Sequence, residues 1–383
     1  MDLELGDTHS ELRKLARSWV DKEVVPHATE WDRAEAVDPA IVGRLGAMGF
    51  LGIGVSEEFG GSDGDALAYC VLLEELGRGD SAVRGIVSVS LGLVAKSIAT
   101  YGTREQKQRF LPRLCAGEAL GCFALTEPGT GSDAANLTTK AVRDGNDWVL
   151  SGSKMFITNG TRADVALVFG RTGGPGPKDV TAFLVPTDSP GFTGTEIKGK
   201  LGLRGQATAE LTFDQVRVPD SLRLGDEGTG FKIAMAALDK GRMGVAAGCV
   251  GLAQACLEAA VRYASEREQF GKPIASYQLV QELLADIAVE VDAARLLTWR
   301  VADLVDRGKP FGTEASMAKL FASEVAVKAA NNAIQVFGGY GYIDEYPVSK
   351  YLRDARVLTL YEGTSQIQKL LIGRALTGVN AIV

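Results

Sequence analysis

The sequence predicts a mainly α-helical protein with a compact β insert, on three observations. Helical periodicity fills the first 119 residues and returns after residue 228. Between them the chain becomes rich in Gly, Thr and Val, in short alternating runs bounded by turn residues. Apolar residues make up 46% and charged residues 23% of the 383-residue chain, enough to build a large buried core. The expected division is 1–119 helical, 120–227 β and 228–383 helical.

The elements follow in order. Thr8 and Glu11 have capping-box spacing ahead of the periodic Leu12, Leu15, Ala16, Trp19 and Val20. Asp38-Pro39 reads as the cap and first turn of a second helix, which Gly49 stops. Helices over 65–77, 84–100 and 103–116 come next. Thr103 and Gln106 give the last of these another capping-box spacing, and Pro112 bends it. In the β region, 141–143 and 148–150 flank Asp144-Gly145-Asn146, a hairpin signal. Residues 165–169, 181–185 and 211–218 read as strands, with a Gly- and Pro-rich surface loop over 173–177. Amphipathic helices are then expected over 231–265, 276–306, 313–337 and 347–354, and a last one from Ser365.

Composition removes several function classes. A net charge of −7 argues against a basic nucleic-acid footprint. No membrane-spanning apolar run stands out, and Met1-Asp2-Leu3-Glu4 lacks the features of a signal peptide, so a cytoplasmic protein is expected. The five cysteines form no CxxC pair and read as small buried hydrophobes. Only His9 and His27 are available, too few for a Ser-His-Asp triad or a His-rich zinc site, and no metal is expected. The chemistry must come from carboxylates, backbone groups or a cofactor.

Six segments could carry it. Leu125-Thr126-Glu127-Pro128-Gly129-Thr130-Gly131-Ser132-Asp133 is a polar loop whose glycines admit close backbone approach. Lys154-Met155-Phe156-Ile157-Thr158-Asn159-Gly160 is a strand end with an Asn-Gly turn; Phe156 by itself reads as core. Asp239 and Arg242 share a helix face, as a local ion pair or as recognition of a nucleotide or pantetheine arm. Arg267, Phe270 and Gly271 stand at a helix end ahead of Gln278, as ordinary capping or as a cation for a pyrophosphate. Gln335 precedes the glycine cluster Gly338-Gly339, and no GxGxxG follows a strand. Tyr361-Glu362-Gly363-Thr364-Ser365-Gln366 precedes a helix that Thr364 or Ser365 would cap.

Taken together and in this order, the strings LTEPGTGSD, FITNG, LGLRG, REQFGK and YEGTSQIQ resemble the acyl-CoA dehydrogenase family over essentially the whole chain. The resemblance implies that family's fold: a helical N-terminal domain, a middle β domain and a C-terminal four-helix domain, in a homotetramer that is a dimer of dimers. It implies FAD as cofactor. Leu125, Thr126 and Ser132 would lie over the flavin and thioester, and Phe156 and Thr158 beside its ring; many relatives have Trp at the Phe156 position. Arg267, Phe270, Gln278, Gln335, Gly338, Gly339, Thr364 and Gln366 would hold the rest of the cofactor, partly from a neighbouring subunit. Ser132, Asp239, Arg242 and Gly363 would bind the acyl-CoA. Glu362 would remove the α-proton of the thioester, the flavin would take the β-hydride, and an electron-transferring flavoprotein would take the electrons.

One branch of the family carries its base on the helix bearing LDKGR. That position is Gly241 here, which leaves Glu362. LDKGRMGVA, ARLLTWR and MAKLFASE resemble short-chain and short-branched-chain members, and the closing IGRALTGVNA is similar to glutaryl-CoA enzymes. Three alternatives share the fold. A flavin oxidase or monooxygenase would lack the glutamate or carry aspartate. A dehydrogenase of acyl groups on an acyl carrier protein shares the reacting end. A non-enzymatic assembly protein would have a broken site, and no motif here is broken.

Overall fold

The computed structural model describes residues 4–381; Met1–Leu3 of the N-terminal stretch read above, and residues 382–383, lie outside it. Seven helices come first: α1 (Asp7–Glu23), α2 (Ala28–Ala34), α3 (Ile41–Ala47), α4 (Ala66–Gly79), α5 (Ser81–Val87), α6 (Lys96–Tyr101) and α7 (Arg104–Cys115). Thr103 and Gln106 form a reciprocal capping box at α7, as their spacing predicts. Thr8 and Glu11 do not: α1 starts one residue before Thr8, and Gly6 holds the cap position without a side-chain bond. Asp38 accepts from the Ala40 N–H at 3.0 Å, but α3 itself begins at Ile41, beyond Pro39.

The helix expected over 84–100 is a continuous rod, Ser81–Tyr101, whose middle, Ser88–Ala95, is a π-helix between α5 and α6. By length and composition alone this rod and α8 could cross a membrane, although each carries charged residues. Their apolar length reflects their place in the core. Of their most apolar stretches, 89% and 72% are buried inside the fold, so protein rather than lipid covers the apolar faces.

The β region holds β1 (Gly121–Ala124), β2 (Lys140–Asp144), β3 (Asp147–Thr158), β4 (Val165–Arg171), β5 (Val180–Pro186), β6 (Phe192–Glu196), β7 (Thr208–Pro219) and β8 (Arg223–Leu224). They form one sheet in the order β6-β7-β3-β2-β4-β5-β8, with β1 parallel to β4. Asp144 pairs with Asp147 across the two-residue turn Gly145-Asn146, the hairpin read from the sequence. The sheet matters here for one irregularity. Lys154 pairs with Leu211 but Ile157 pairs with Ala209, so β3 carries one extra residue between them.

The remaining elements are α8 (Gly230–Glu266), β9 (Glu268–Gln269), β10 (Lys272–Pro273), α9 (Gln278–Asp306), α10 (Gly312–Phe337), α11 (Val348–Leu358) and α12 (Ser365–Thr377). The 37-residue α8 is the axis of the molecule: α4, α9 and α10 pack along it. Cys249 and Cys256 share its buried face, and all five cysteines are free and buried.

Candidate active site

Glu362 sits in the loop between α11 and α12, in the left-handed region at φ 51°. Gly363 follows at φ 93°. This tight loop is held from below by Lys319 of α10, whose Nζ donates to the Gly363 carbonyl at 2.9 Å, and by Gln368 Nε2, which donates to the carbonyls of Glu362 and Gly363 at 3.1 Å. Thr364, not Ser365, caps α12 by accepting from the Ile367 N–H at 3.2 Å. The backbone N–H of Glu362 makes no hydrogen bond among the described residues. It therefore remains available as a donor.

The loop aims the carboxylate at α8. A Cβ at Gly241 would lie 2.2 Å from Glu362 Oε2. The two positions weighed for the base thus converge on one place in space, and glycine at 241 makes room for the carboxylate from 362. Oε2 is buried with no hydrogen-bond partner. Burial pushes the Glu362 pKa up, while the positive charges of Arg84, Lys319 and Arg242 pull it down. Lys319 itself is brought down to about 8 by burial. Arg242 is buried too, paired with Asp239 at 2.5 Å. Its charge pulls the Glu362 pKa down, so it lies on the carboxylate's side of α8.

A second cluster belongs to the β region. Leu125 is buried just after β1, and its carbonyl accepts from the fully buried Lys154 Nζ at 3.1 Å. The same Nζ donates to Glu127 at 2.8 Å. Glu127 also accepts from the N–H groups of Thr138 and Thr139 and from the Thr138 hydroxyl. Burial raises its pKa, but Lys154 and these donors override that and bring it down to about 2. The Met155 N–H donates to the Thr126 carbonyl at 2.8 Å, tying the loop to the bulge of β3.

Phe156 occupies that bulge at φ 60° and is 67% exposed. Its reading as core is corrected: the extra residue turns the ring out of the sheet. Thr158 lies two residues on, paired with Thr208. Ser132 is exposed farther along the loop.

The third cluster is remote. Arg267 caps the C-terminal end of α8, 26 residues from Gly241 and so about 39 Å along the helix. Its guanidinium lies 5.6 Å from the Tyr340 ring centre. Arg267, Gly338 and Gly339 line a cavity of about 570 Å³ together with Tyr263, Phe337 and Ile343. Phe270 is 93% exposed at the tip of the β9–β10 hairpin. Gln278, Gln335 and Gln366 are exposed. The sequence-predicted residues thus form three groups, and one chain does not bring the third to the other two.

Sequence reasoning missed the residues around the base. Lys319 lies in MAKLFASE, quoted above only for its likeness to relatives. Tyr69 and Ser88 gave no signal. Arg84 gave one: it is one of two charges in the otherwise apolar 82–98. Among the described residues no group of three or more His, Cys, Asp or Glu could hold a metal ion.

Comparison with known proteins agrees with this architecture. Residues 6–118, 122–216 and 228–377 match the N-terminal, middle and C-terminal domains of acyl-CoA dehydrogenases. The human mitochondrial short-chain specific acyl-CoA dehydrogenase is 45% identical over 97% of this chain and 90% of its own length. Butyryl-CoA dehydrogenase from Megasphaera elsdenii superposes with a TM-score of 0.96 at 41% identity, covering 98% of this chain and all of that one. Glutaryl-CoA dehydrogenase from Mycobacterium smegmatis gives 0.95 at 39%, covering 99% and 97%. A chain from a structure of the electron transferring flavoprotein of Acidaminococcus fermentans, in work on flavin-based electron bifurcation, gives 0.97 at 42%, covering 98% and 100%. The class is therefore that of oxidoreductases acting on a CH–CH bond. Within it, this chain belongs to the acyl-CoA dehydrogenase family.

Proposed function

We propose that the protein carries out FAD-dependent α,β-dehydrogenation of a short acyl-CoA, giving the trans-2-enoyl-CoA, with an electron-transferring flavoprotein as acceptor. The observation that carries this reading is Glu362: a carboxylate with an unpartnered buried oxygen, a free backbone N–H and three cations around it.

An α-C–H beside a thioester is a weak acid, so its removal needs a base and stabilisation of the enolate oxygen. Glu362 Oε2 takes the proton. Burial makes the carboxylate a better base than an exposed one, and Arg84, Lys319 and Arg242 offset part of that rise. The Glu362 N–H points a donor at the thioester oxygen. The φ of 51° that frees this N–H is the strained conformation the loop maintains.

The residues suit a flavin. Phe156 offers an outward-facing aromatic surface flanked by Thr126 and Thr158, which fits a flat ring with polar edges. Arg267 beside the open backbone of Gly338 and Gly339 fits a pyrophosphate. When bound, the flavin supplies the acceptor for the β-hydride, which no side chain can supply. Because Arg267 is about 39 Å of helix from Gly241, each flavin would draw on two copies of the chain, in keeping with a homotetramer built as a dimer of dimers. Ser132, Asp239 and Gly363 would complete the contacts to the acyl-CoA.

The test is an anaerobic titration of the purified yellow protein with butyryl-CoA. Bleaching of the visible band with formation of trans-2-butenoyl-CoA is expected. A colourless protein, or one that no acyl-CoA bleaches, would overturn the reading.

A further inference from the structure

Three polar atoms buried without hydrogen-bond partners lie in a row along α8: Glu362 Oε2, Tyr69 Oη and Arg84 Nε. Each faces a glycine. A Cβ at Gly241 would lie 2.2 Å from the first, at Gly244 3.1 Å from the second, and at Gly248 2.7 Å from the third. The spacing 241, 244, 248 puts the glycines on one helix face. Ser88 Oγ, one turn beyond Arg84 on the rod that packs opposite, faces the Tyr69 hydroxyl. A pocket for a plain alkyl chain has no use for such a lining, since each unpaired buried polar group costs stability.

Arg84 is the decisive member. It is 2% exposed. Among the described residues its one hydrogen bond goes from Nη2 to the Tyr361 hydroxyl, and it enters no ion pair. The other two cations near Glu362 have separate work: Lys319 holds the Gly363 carbonyl and Arg242 pairs with Asp239. A guanidinium with five donors, buried with a single neutral partner, is a binding site for an anion.

We propose that the acyl group accepted here ends in a carboxylate, and that Arg84 binds it, with Tyr69 and Ser88 beside the chain. The proposal rests on the function given above and narrows its substrate. Gly241 and Gly248 are seven residues apart, about 10 Å along α8. Allowing about 3 Å of contact at each end leaves about 4–5 Å between the α-carbon and the carboxylate oxygen. That is the span of a five-carbon dicarboxylic acyl chain.

Glutaryl-CoA and butyryl-CoA, equal in reacting end and opposite in tail, test this on the holoenzyme. The expected kcat/KM for anaerobic flavin reduction is at least tenfold higher with glutaryl-CoA. Arg84→Gln should lower the glutaryl-to-butyryl ratio by 100-fold or more, and Arg84→Lys by less. The wild-type ratio stands whether or not either variant folds. Equal or better reduction by butyryl-CoA in the wild type, or a ratio unmoved in a yellow Arg84→Gln protein, would make Arg84 only a counterion of Glu362 and overturn the proposal. Reduction by neither thioester would overturn the proposed function and this inference with it.

Discussion

Near its N-terminal third, α8 passes Glu362, and the groups around that residue come from the same chain: Lys319 and Gln368 under the loop, Gly241 opposite, Arg242 and Arg84 beside it. At its C-terminal end the same helix reaches Arg267, where the surroundings are open: Phe270 is almost wholly exposed, and Gln278, Gln335 and Gly338–Gly339 face outward. The first region is closed and strained, with left-handed residues and orphaned polar atoms. The second is relaxed and unfinished. The difference teaches that one chain completes the surroundings of Glu362, whereas on the proposed function the far end of a bound cofactor would need a second copy.

Removing the base tests the closed region most severely. Glu362→Gln keeps the shape and the flavin, and the rate of reduction by acyl-CoA should fall by about 10²–10⁴-fold or more in stopped-flow absorbance. In the wild type that rate should rise with pH, because the base acts ionised, and the midpoint should lie above the ordinary carboxylate range because burial raises the Glu362 pKa. A midpoint at or below the ordinary value would mean that the cations outweigh burial.

Gly241→Val tests the convergence of the two base positions. Its side chain would displace the carboxylate and crowd Leu93, with an expected loss of about 10²-fold in kcat. Retained activity would mean that the carboxylate has another place to sit.

Lys154→Met probes the support of the Leu125–Asp133 loop. It leaves Glu127 buried and unpaired, so a stability loss of about 3–5 kcal/mol is expected in denaturant unfolding. A neutral result would show that the backbone donors to Glu127 suffice without the amine.

The open region predicts the smallest chemical effect. Arg267→Glu should weaken flavin retention by about 10–100-fold, the scale of a lost charge-assisted bond, and leave the melting temperature of the flavin-free protein unchanged. Unaltered retention would remove Arg267 from the cofactor site.

Much of the fold was legible because its signals are local. The long helices show their period, the Thr103–Gln106 box carries its own geometry, and Gly145-Asn146 turns the hairpin. The misreadings have local reasons as well: Gly6 takes the cap position that Thr8 was expected to hold. Much of the site was legible only as a set of strings. Phe156 read as core because its exposure depends on the register between β3 and β7, which neither strand states alone. Arg84 was missed because its partner, Gly248, lies more than 160 residues away on α8. A charge inside an apolar run was the one available clue, and it has meaning only once the rod is seen to pack against the base.

The contrast between the two ends of α8 is tested most directly by co-expressing Glu362→Gln with Arg267→Glu. Assayed without added flavin, each variant alone is expected to have little activity, Glu362→Gln for want of the base and Arg267→Glu for want of retained flavin. If each flavin site joins Glu362 of one copy to Arg267 of another, a mixed pair rebuilds one intact site, and random pairing should restore about a quarter of wild-type activity. Restoration to that level is the result expected. A mixture no more active than its parents would contradict the account, because both residues would then belong to one chain's own site.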